Sequence, residues 1–157
     1  MTKALQTLPP KLRGNFVLLK ADRLQLLLPQ QDVGAAEYLD TAPRNSGQPG
    51  LFELDSKEEG GATRFLAALS TQMNLLPQYP NGRFLLTSFE AQGGMLMCWN
   101  EVKVLIDADL QPQRLPEAVL SPDAPLREYV EFGDELAFCC TAQRLLEHAF
   151  AAKEVPA

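Results

Sequence analysis

The most reactive side chains of this chain are three thiols and one imidazole. They are Cys98, Cys139, Cys140 and His148. Catalysis by a cysteine requires a thiolate beside a base, which is usually histidine. Cys139 and Cys140 are neighbours on a predicted strand, so their side chains point to opposite faces, and His148 falls on a predicted helix. We interpret at least two of the thiols as small core residues, and keep a cysteine-dependent enzyme, motivated by Cys98 beside Trp99, as an alternative.

Other catalytic or metal-binding patterns are weak. The chain has no C-x-x-C spacing, and one histidine cannot complete a tetrahedral zinc site. The acidic pairs fall in predicted turns and loops, whereas a general acid needs a carboxyl whose pKa is raised by burial. Neither glycine pair matches a phosphate-binding loop or a dinucleotide fingerprint. The acidic pairs are Asp107/Asp109, Glu58/Glu59 and Asp134/Glu135, and the glycine pairs are Gly60-Gly61 and Gly93-Gly94. We therefore expect no catalytic residue, no cofactor and no metal, which leaves binding through shape and apolar surface.

Composition limits the classes of partner. The 157 residues are 46% hydrophobic, which is enough for one domain or two small halves around a shared core. A net charge of −6 argues against nucleic acid, whose binding depends on lysine and arginine at phosphates. The longest apolar runs, such as Met95 to Trp99, have five residues, whereas a membrane span needs roughly 20. With no signal-like segment in Met1 to Arg13, we expect a cytoplasmic protein without membrane insertion.

An internal repeat organises the sequence. GNFVLL at residues 14–19 returns as GRFLLT at 82–87, and the later matches keep the same order, with an offset that drifts from 68 to 71 residues. The later matches are Leu24 to Leu28 with Met95 to Trp99, and Phe65 to Gln72 with Leu136 to Gln143. Repeats of this kind indicate one structural unit used twice. We therefore divide the chain into a flexible tail at 1–13, a first half at 14–81 and a second half at 82–157.

Each half is predicted to be mainly strand. The apolar runs on either side of residues 20–23 and 90–94 predict two hairpins, and Pro29 is expected to end its strand, with Val33 starting the next. Further strands are predicted at 51–54, 102–106 and 135–140, with loops at 41–50 and 55–63. A helix is predicted from Ala142 to about Lys153, with Thr141 as its N-cap, and a shorter helix at 72–76.

These residues resemble the CheW-like domain, the adaptor module of bacterial chemosensory arrays. The similar stretches are NFVLLKADRLQLLLPQQDV, RFLLTSFEAQGGMLMCWNEVKVLI and REYVEFGDELAFCCTAQRLLEH, which together run from about Gly14 to Phe150. The resemblance implies a mainly β fold of two pseudo-repeated, five-stranded SH3-like barrels with short helices, including one at the C-terminus. It implies binding to the regulatory domain of a histidine kinase and to a chemoreceptor tip.

One segment departs from the family pattern. The family usually has a glycine, apolar residues, an asparagine and then an arginine-glycine pair implicated in receptor binding. Here Glu53 replaces the asparagine and Asp55 replaces the arginine, and an acidic, glycine-rich insertion follows. Reversed charge at an interface can repel the original partner. The predicted interaction residues are Leu51, Phe52, Glu53, Asp55 and Arg64.

The sequence thus favours a non-enzymatic adaptor that binds a histidine kinase regulatory domain and, if the altered segment permits, a receptor. A regulatory or interaction protein on the same scaffold, for example in type IV pilus-linked signalling, is the alternative without receptor coupling. The partner's identity, the pathway and the oligomeric state are left open by the sequence.

Overall fold

The chain folds mainly into β-strands. The computed structural model describes residues 9–54, 63–89, 95–116, 126–132 and 134–151. The strands are β1 (Leu12–Ala21), β2 (Leu24–Pro29), β3 (Glu37–Tyr38), β4 (Arg44–Asn45), β5 (Phe52–Leu54), β6 (Arg64–Ala67), β7 (Leu85–Ser88), β8 (Leu96–Trp99), β9 (Glu101–Leu110), β10 (Gln113–Arg114), β11 (Glu128–Phe132) and β12 (Glu135–Cys139). A one-turn 3-10 helix spans Gln30–Asp32, and α1 spans Ala142–Ala151. None of the helices within these ranges is long and apolar enough to cross a membrane.

The strands form two mixed sheets with the same internal order. Sheet I runs β10-β11-β12-β2-β1-β9, and sheet II runs β4-β5-β6-β8-β7-β3. Each contains one parallel pair, β12 with β2 in sheet I and β6 with β8 in sheet II. The hairpin β1–β2 therefore pairs with strands from the second half of the sequence, and the hairpin β7–β8 pairs with strands from the first half. The two halves exchange their first hairpins.

Strand registers agree with the sequence repeat. In sheet I, Leu18 lies opposite Leu27. The residues aligned with them, Leu86 and Cys98, lie opposite each other in sheet II. The parallel ladders also correspond. Both sheets have open-ended strand orders over the described ranges, so the SH3-like barrels and the division into 14–81 and 82–157 stay predictions.

Strand β1 is buried on both faces, which explains its unbroken apolar run. Val17 and Leu19 point into a central core shared by the two sheets, where Trp99 is fully buried. Phe16 and Leu18 point the other way, into a smaller core enclosed by sheet I. Strands covered on both faces read as continuous hydrophobic runs instead of alternating ones.

Helix α1, which the sequence predicts, packs on the central core. Leu145 and Leu146 are fully buried there. At its N-terminus, the amide of Arg144 donates to the Thr141 hydroxyl at 3.2 Å, which confirms Thr141 as a cap. Asp32, which is distant in sequence, accepts a second bond from the Ala142 amide at 3.0 Å.

The predicted helix at 72–76 is wrong. This segment is a turn, and Met73 has a left-handed φ of 65°, which a right-handed helix cannot include. The Ser70 hydroxyl accepts hydrogen bonds from the amides of Gln72 and Asn74. A serine that bonds nearby amides stabilises a turn as readily as a helix start, which is why the signal misled.

Two other boundaries differ from expectation. Strand β9 continues past residue 106, where the predicted strand ends. Asp107 adopts a φ of 51° in a bulge, and its amide donates to the Asn15 side chain at 2.9 Å. The bulge lets the strand pairing continue beyond it. Val33 forms only an isolated bridge with Phe89, so the next strand starts at Glu37. The predicted loop at 41–50 contains the two-residue strand β4, and residues 1–8 and 55–62 lie outside the described ranges.

Candidate protein-interaction surface

The five predicted interaction residues occupy different environments. Phe52 is 1% exposed and belongs to the core of sheet II, where its ring meets that of Tyr79 edge-to-face at 5.4 Å. Leu51 is half-buried and packs against the central core. Asp55 lies outside the described residues. Phe52 therefore supports the fold from within sheet II.

Glu53 and Arg64 are engaged in separate ion pairs. Glu53 on β5 lies 3.8 Å from Arg44 on β4. Arg64 on β6 donates both terminal nitrogens to the carboxylate of Glu37 on β3, and this hydrogen bonding raises the pKa of Arg64. Two strands separate β3 from β6 in the sheet order, so the pair joins parts of a strongly curled sheet. The ion pair of Arg64 therefore links β6 to β3 across the curled sheet II.

Glu53 and Arg64 also project from opposite faces of sheet II. Glu53 lies opposite Phe65, and Arg64 lies opposite Leu54. Successive side chains along a strand alternate between the two faces of its sheet. The structure therefore does not bring Glu53 and Arg64 together on one face.

The clearest surface feature is a set of exposed large hydrophobic side chains. They are Tyr38 (64% exposed), Ile106 (63%), Phe84 (50%), Val104 (48%), Phe65 (47%) and Leu136 (46%). Single exposed apolar side chains are ordinary, but clusters of them mark contact sites. Sequence reasoning missed these residues because exposure depends on where each strand lies in its sheet.

Some exposed positions recur in both sheets. Phe65 on β6 and Leu136 on β12 are aligned in the repeat, and both are about half exposed. Tyr38 and Val104 are also counterparts, because each lies opposite aligned residues of the two hairpins. Tyr38 lies on β3 and Val104 on β9, and each of these strands is at one edge of its sheet over the described ranges. The sequence alignment supplied a signal for the first pair only.

Tyr38 and Phe84 form an aromatic pair at the edge of sheet II. Their rings stack with centroids 6.2 Å apart and planes inclined at 23°. Phe84 also lines a cleft of about 160 Å³, together with apolar residues such as Leu39 and Pro80 and polar ones such as Asp40 and Asn81. Large aromatic side chains with apolar surroundings are the usual anchors of protein interfaces. We call Tyr38 and Phe84 the aromatic edge.

The thiols show no sign of nucleophilic activation. Burial raises the pKa of Cys98, and it raises the pKa of Cys139 to about 11 and that of Cys140 to about 12. An activated nucleophile needs the opposite shift. Within the described ranges, histidine, cysteine and acidic side chains form no group of three or more that could hold a metal ion.

Neither a protein-family model nor a curated protein matches the chain. Function therefore has to be argued from exposed residues, their chemistry and the repeated architecture.

Proposed function

We propose that this protein is a non-enzymatic, cytoplasmic adaptor of the CheW-like kind that binds the regulatory domain of a chemosensory histidine kinase. Its fold, on this proposal, is a pair of SH3-like barrels, each built around one of the two small cores. The order of strands and the matching registers of the two sheets support this pairing of similar units.

The aromatic edge is the observation that carries the proposal. Tyr38 is 64% exposed and Phe84 is 50% exposed, and their stacked rings lie at a cleft with both apolar and polar lining. Strand β3 at this edge has an unpaired side over the described ranges, and such edges accept a further strand or pack against a partner. A protein partner would cover both features together.

Receptor binding has less support than kinase binding. Glu53 stands where the family has an asparagine, and it pairs with Arg44 instead of offering an uncharged amide. A carboxylate cannot donate the hydrogen bonds of the family's asparagine, so a partner suited to that amide is disfavoured. We therefore propose kinase binding without receptor coupling. The same feature favours the second candidate, a regulatory protein on this scaffold that serves another apparatus, such as a type IV pilus.

Calorimetric titration against a purified chemosensory kinase regulatory domain tests the proposal. We expect binding, and we expect Tyr38→Ser to weaken it by about tenfold or more, as loss of an interface anchor does. Ile106→Ser is the matched control, because Ile106 is 63% exposed but lies on sheet I. Absence of binding at high micromolar concentration would reject the kinase-coupled adaptor and favour the second candidate.

A further inference from the structure

Strand β9 gives sheet I a long edge whose outer side pairs with no strand over the described ranges. It has ten residues, whereas its counterpart in sheet II, β3, has two. Its pairing with β1 is regular from Glu101 to Leu105, and the bulge lies beyond that stretch. An edge of this kind presents backbone N–H and C=O groups that can bind a further strand.

Apolar side chains lie at every second position of this edge. Val102 packs against the central core, Val104 is 48% exposed and Ile106 is 63% exposed. Residues two apart on a strand share one face of the sheet. The three side chains therefore form an apolar strip that extends from the core to the surface. Exposed β-branched side chains on an edge strand favour pairing with another strand.

Two of the four charged residues of β9 lie opposite residues of the other sign on β1. Glu101 lies opposite Lys20, and Asp109 lies opposite Arg13, with which it forms an ion pair at 3.7 Å. Opposite charges across an antiparallel pair attract each other. These two carboxylates are therefore compensated within sheet I, and a partner at the edge meets mainly the other two charges.

The other two charges are placed symmetrically about the middle of the strand, which reads Lys103-Val104-Leu105-Ile106-Asp107. Lys103 and Asp107 are exposed, and neither belongs to an ion pair within the described ranges. A twofold axis at Leu105 would place each Lys103 level with the Asp107 of a second copy. It would also place each Val104 level with the second copy's Ile106. The stretch is thus complementary to itself in charge and in apolar contact, as a twofold interface requires.

We propose that two copies of this chain pair in antiparallel fashion through β9 and join their sheets I into one continuous sheet. Val104 and Ile106 of the two copies cover each other. Backbone pairing ends at the bulge, and the long side chain of Lys103 reaches the Asp107 carboxylate of the other copy. Because β9 and the aromatic edge lie on different sheets, this dimer does not depend on the adaptor function.

Sedimentation equilibrium of the full chain at low salt tests the dimer. We expect a reversible change from one chain to two below about 1 mM protein, as for a small, transient interface. Ile106→Lys should weaken dimerisation by about tenfold or more, because it places a charge in the apolar contact. Leu136→Lys is the matched control and should dimerise normally. Leu136 is 46% exposed on sheet I, but β2 and β1 separate its strand from β9.

Exchanged charges test the register. Lys103→Glu and Asp107→Lys should each dimerise more weakly than the unaltered chain, because like charges then face each other across the axis. An equal mixture of the two variants should restore dimerisation, because both charge pairs of the mixed dimer have opposite signs. Arg23→Glu is the control for net charge, since it makes the same change as Lys103→Glu in the exposed β1–β2 turn, and it should dimerise normally.

Three results would overturn the proposal. They are a mass of one chain at about 1 mM protein, equal weakening by Ile106→Lys and Leu136→Lys, and a mixture that dimerises no better than its components. Far-UV circular dichroism verifies that each variant is folded. If Asp107→Lys does not fold, because of its left-handed φ of 51°, Asp107→Asn replaces it. Its mixture with Lys103→Glu should then dimerise better than Lys103→Glu alone, and an equal or weaker association would overturn the proposal.

Discussion

At the scale of single residues, one buried arginine links the two sheets. Arg83 is fully buried, and it forms an ion pair at 3.0 Å with Asp22 in the β1–β2 turn of sheet I. Its Nε and Nη1 atoms have no hydrogen-bond partner among the described residues. A buried cation with unsatisfied donors costs free energy, so the Asp22 carboxylate that compensates its charge is important for stability.

We expect Asp22→Asn to lower the free energy of unfolding by about 1–3 kcal/mol, less than for a fully buried pair because Asp22 is 51% exposed. Asparagine suits the left-handed φ of 56° at this position, so the loss reports the charge. Arg83→Met, which removes the buried charge itself, should cost less than Asp22→Asn. Urea denaturation measures both.

Asp109→Asn is the control for this comparison. Asp109 pairs with Arg13 at 3.7 Å on the surface, where an ion pair contributes about 0–1 kcal/mol. A larger loss in Arg83→Met than in Asp22→Asn would show that Arg83 stabilises the fold by packing, and that its charge is well compensated.

The buried thiols make stability depend on alkaline pH. The pKa of Cys140 is raised to about 12 in the folded protein, whereas the pKa of a cysteine in an unfolded chain is about 8.5. Between these values the folded state binds more protons than the unfolded state, so the free energy of unfolding falls as pH rises. Cys140→Ala should therefore lose less stability than the unaltered chain between neutral pH and about pH 10, measured by urea midpoints. Equal losses would contradict the shift.

Thiol labelling gives a related expectation. All three thiols should react slowly with iodoacetamide at neutral pH in the folded protein, because each pKa is raised by burial. A single thiol that reacts faster than a model peptide would instead support the cysteine-dependent enzyme.

At the scale of elements, helix α1 depends on two caps from different parts of the chain. Thr141 is local, and Asp32 reaches the helix from the 3-10 turn after β2. We expect Thr141→Ala and Asp32→Ala each to cost about 1 kcal/mol of unfolding free energy. Gln143→Ala is the control, because Gln143 is exposed and its side chain donates to Glu147 on the helix surface, away from the capping bonds. A loss in Asp32→Ala no larger than in this control would show that Asp32 does not cap α1.

Local signals predicted most of the elements, and the errors have both long-range and local causes. The hairpins and α1 follow from turn residues, Pro29 and the Thr141 cap, all of which act within a few residues. The bulge at Asp107 could not be predicted, because it depends on Asn15 in a strand 92 positions away. The turn at Met73 replaced a helix for a reason that only the local backbone reveals.

The candidate site was harder to predict than the elements. A family resemblance located Glu53 and Arg64, whose roles in ion pairs depend on strand neighbours that the sequence does not show. Tyr38 and Phe84 come together because β3 pairs with β7, a contact between the two halves of the chain. Short apolar strands give no sign of which residues stay exposed once the sheets form.

At the scale of the whole molecule, hairpin exchange makes the two sheets interdependent. Sheet I needs the hairpin β1–β2 as well as β9 to β12, and sheet II needs the hairpin β7–β8 as well as β3 to β6. The central core then binds the sheets together through residues of both hairpins. The edges of both sheets are thereby tied to one shared core, which suits the proposed adaptor role.

One measurement tests the adaptor account most directly. Amide signals of the isotopically labelled chain are followed while an unlabelled chemosensory kinase regulatory domain is added. The account predicts that signals around Tyr38 and Phe84 shift or broaden first, while those on the sheet I edge around Ile106 stay unchanged. No change at high micromolar partner, or changes confined to sheet I, would contradict it.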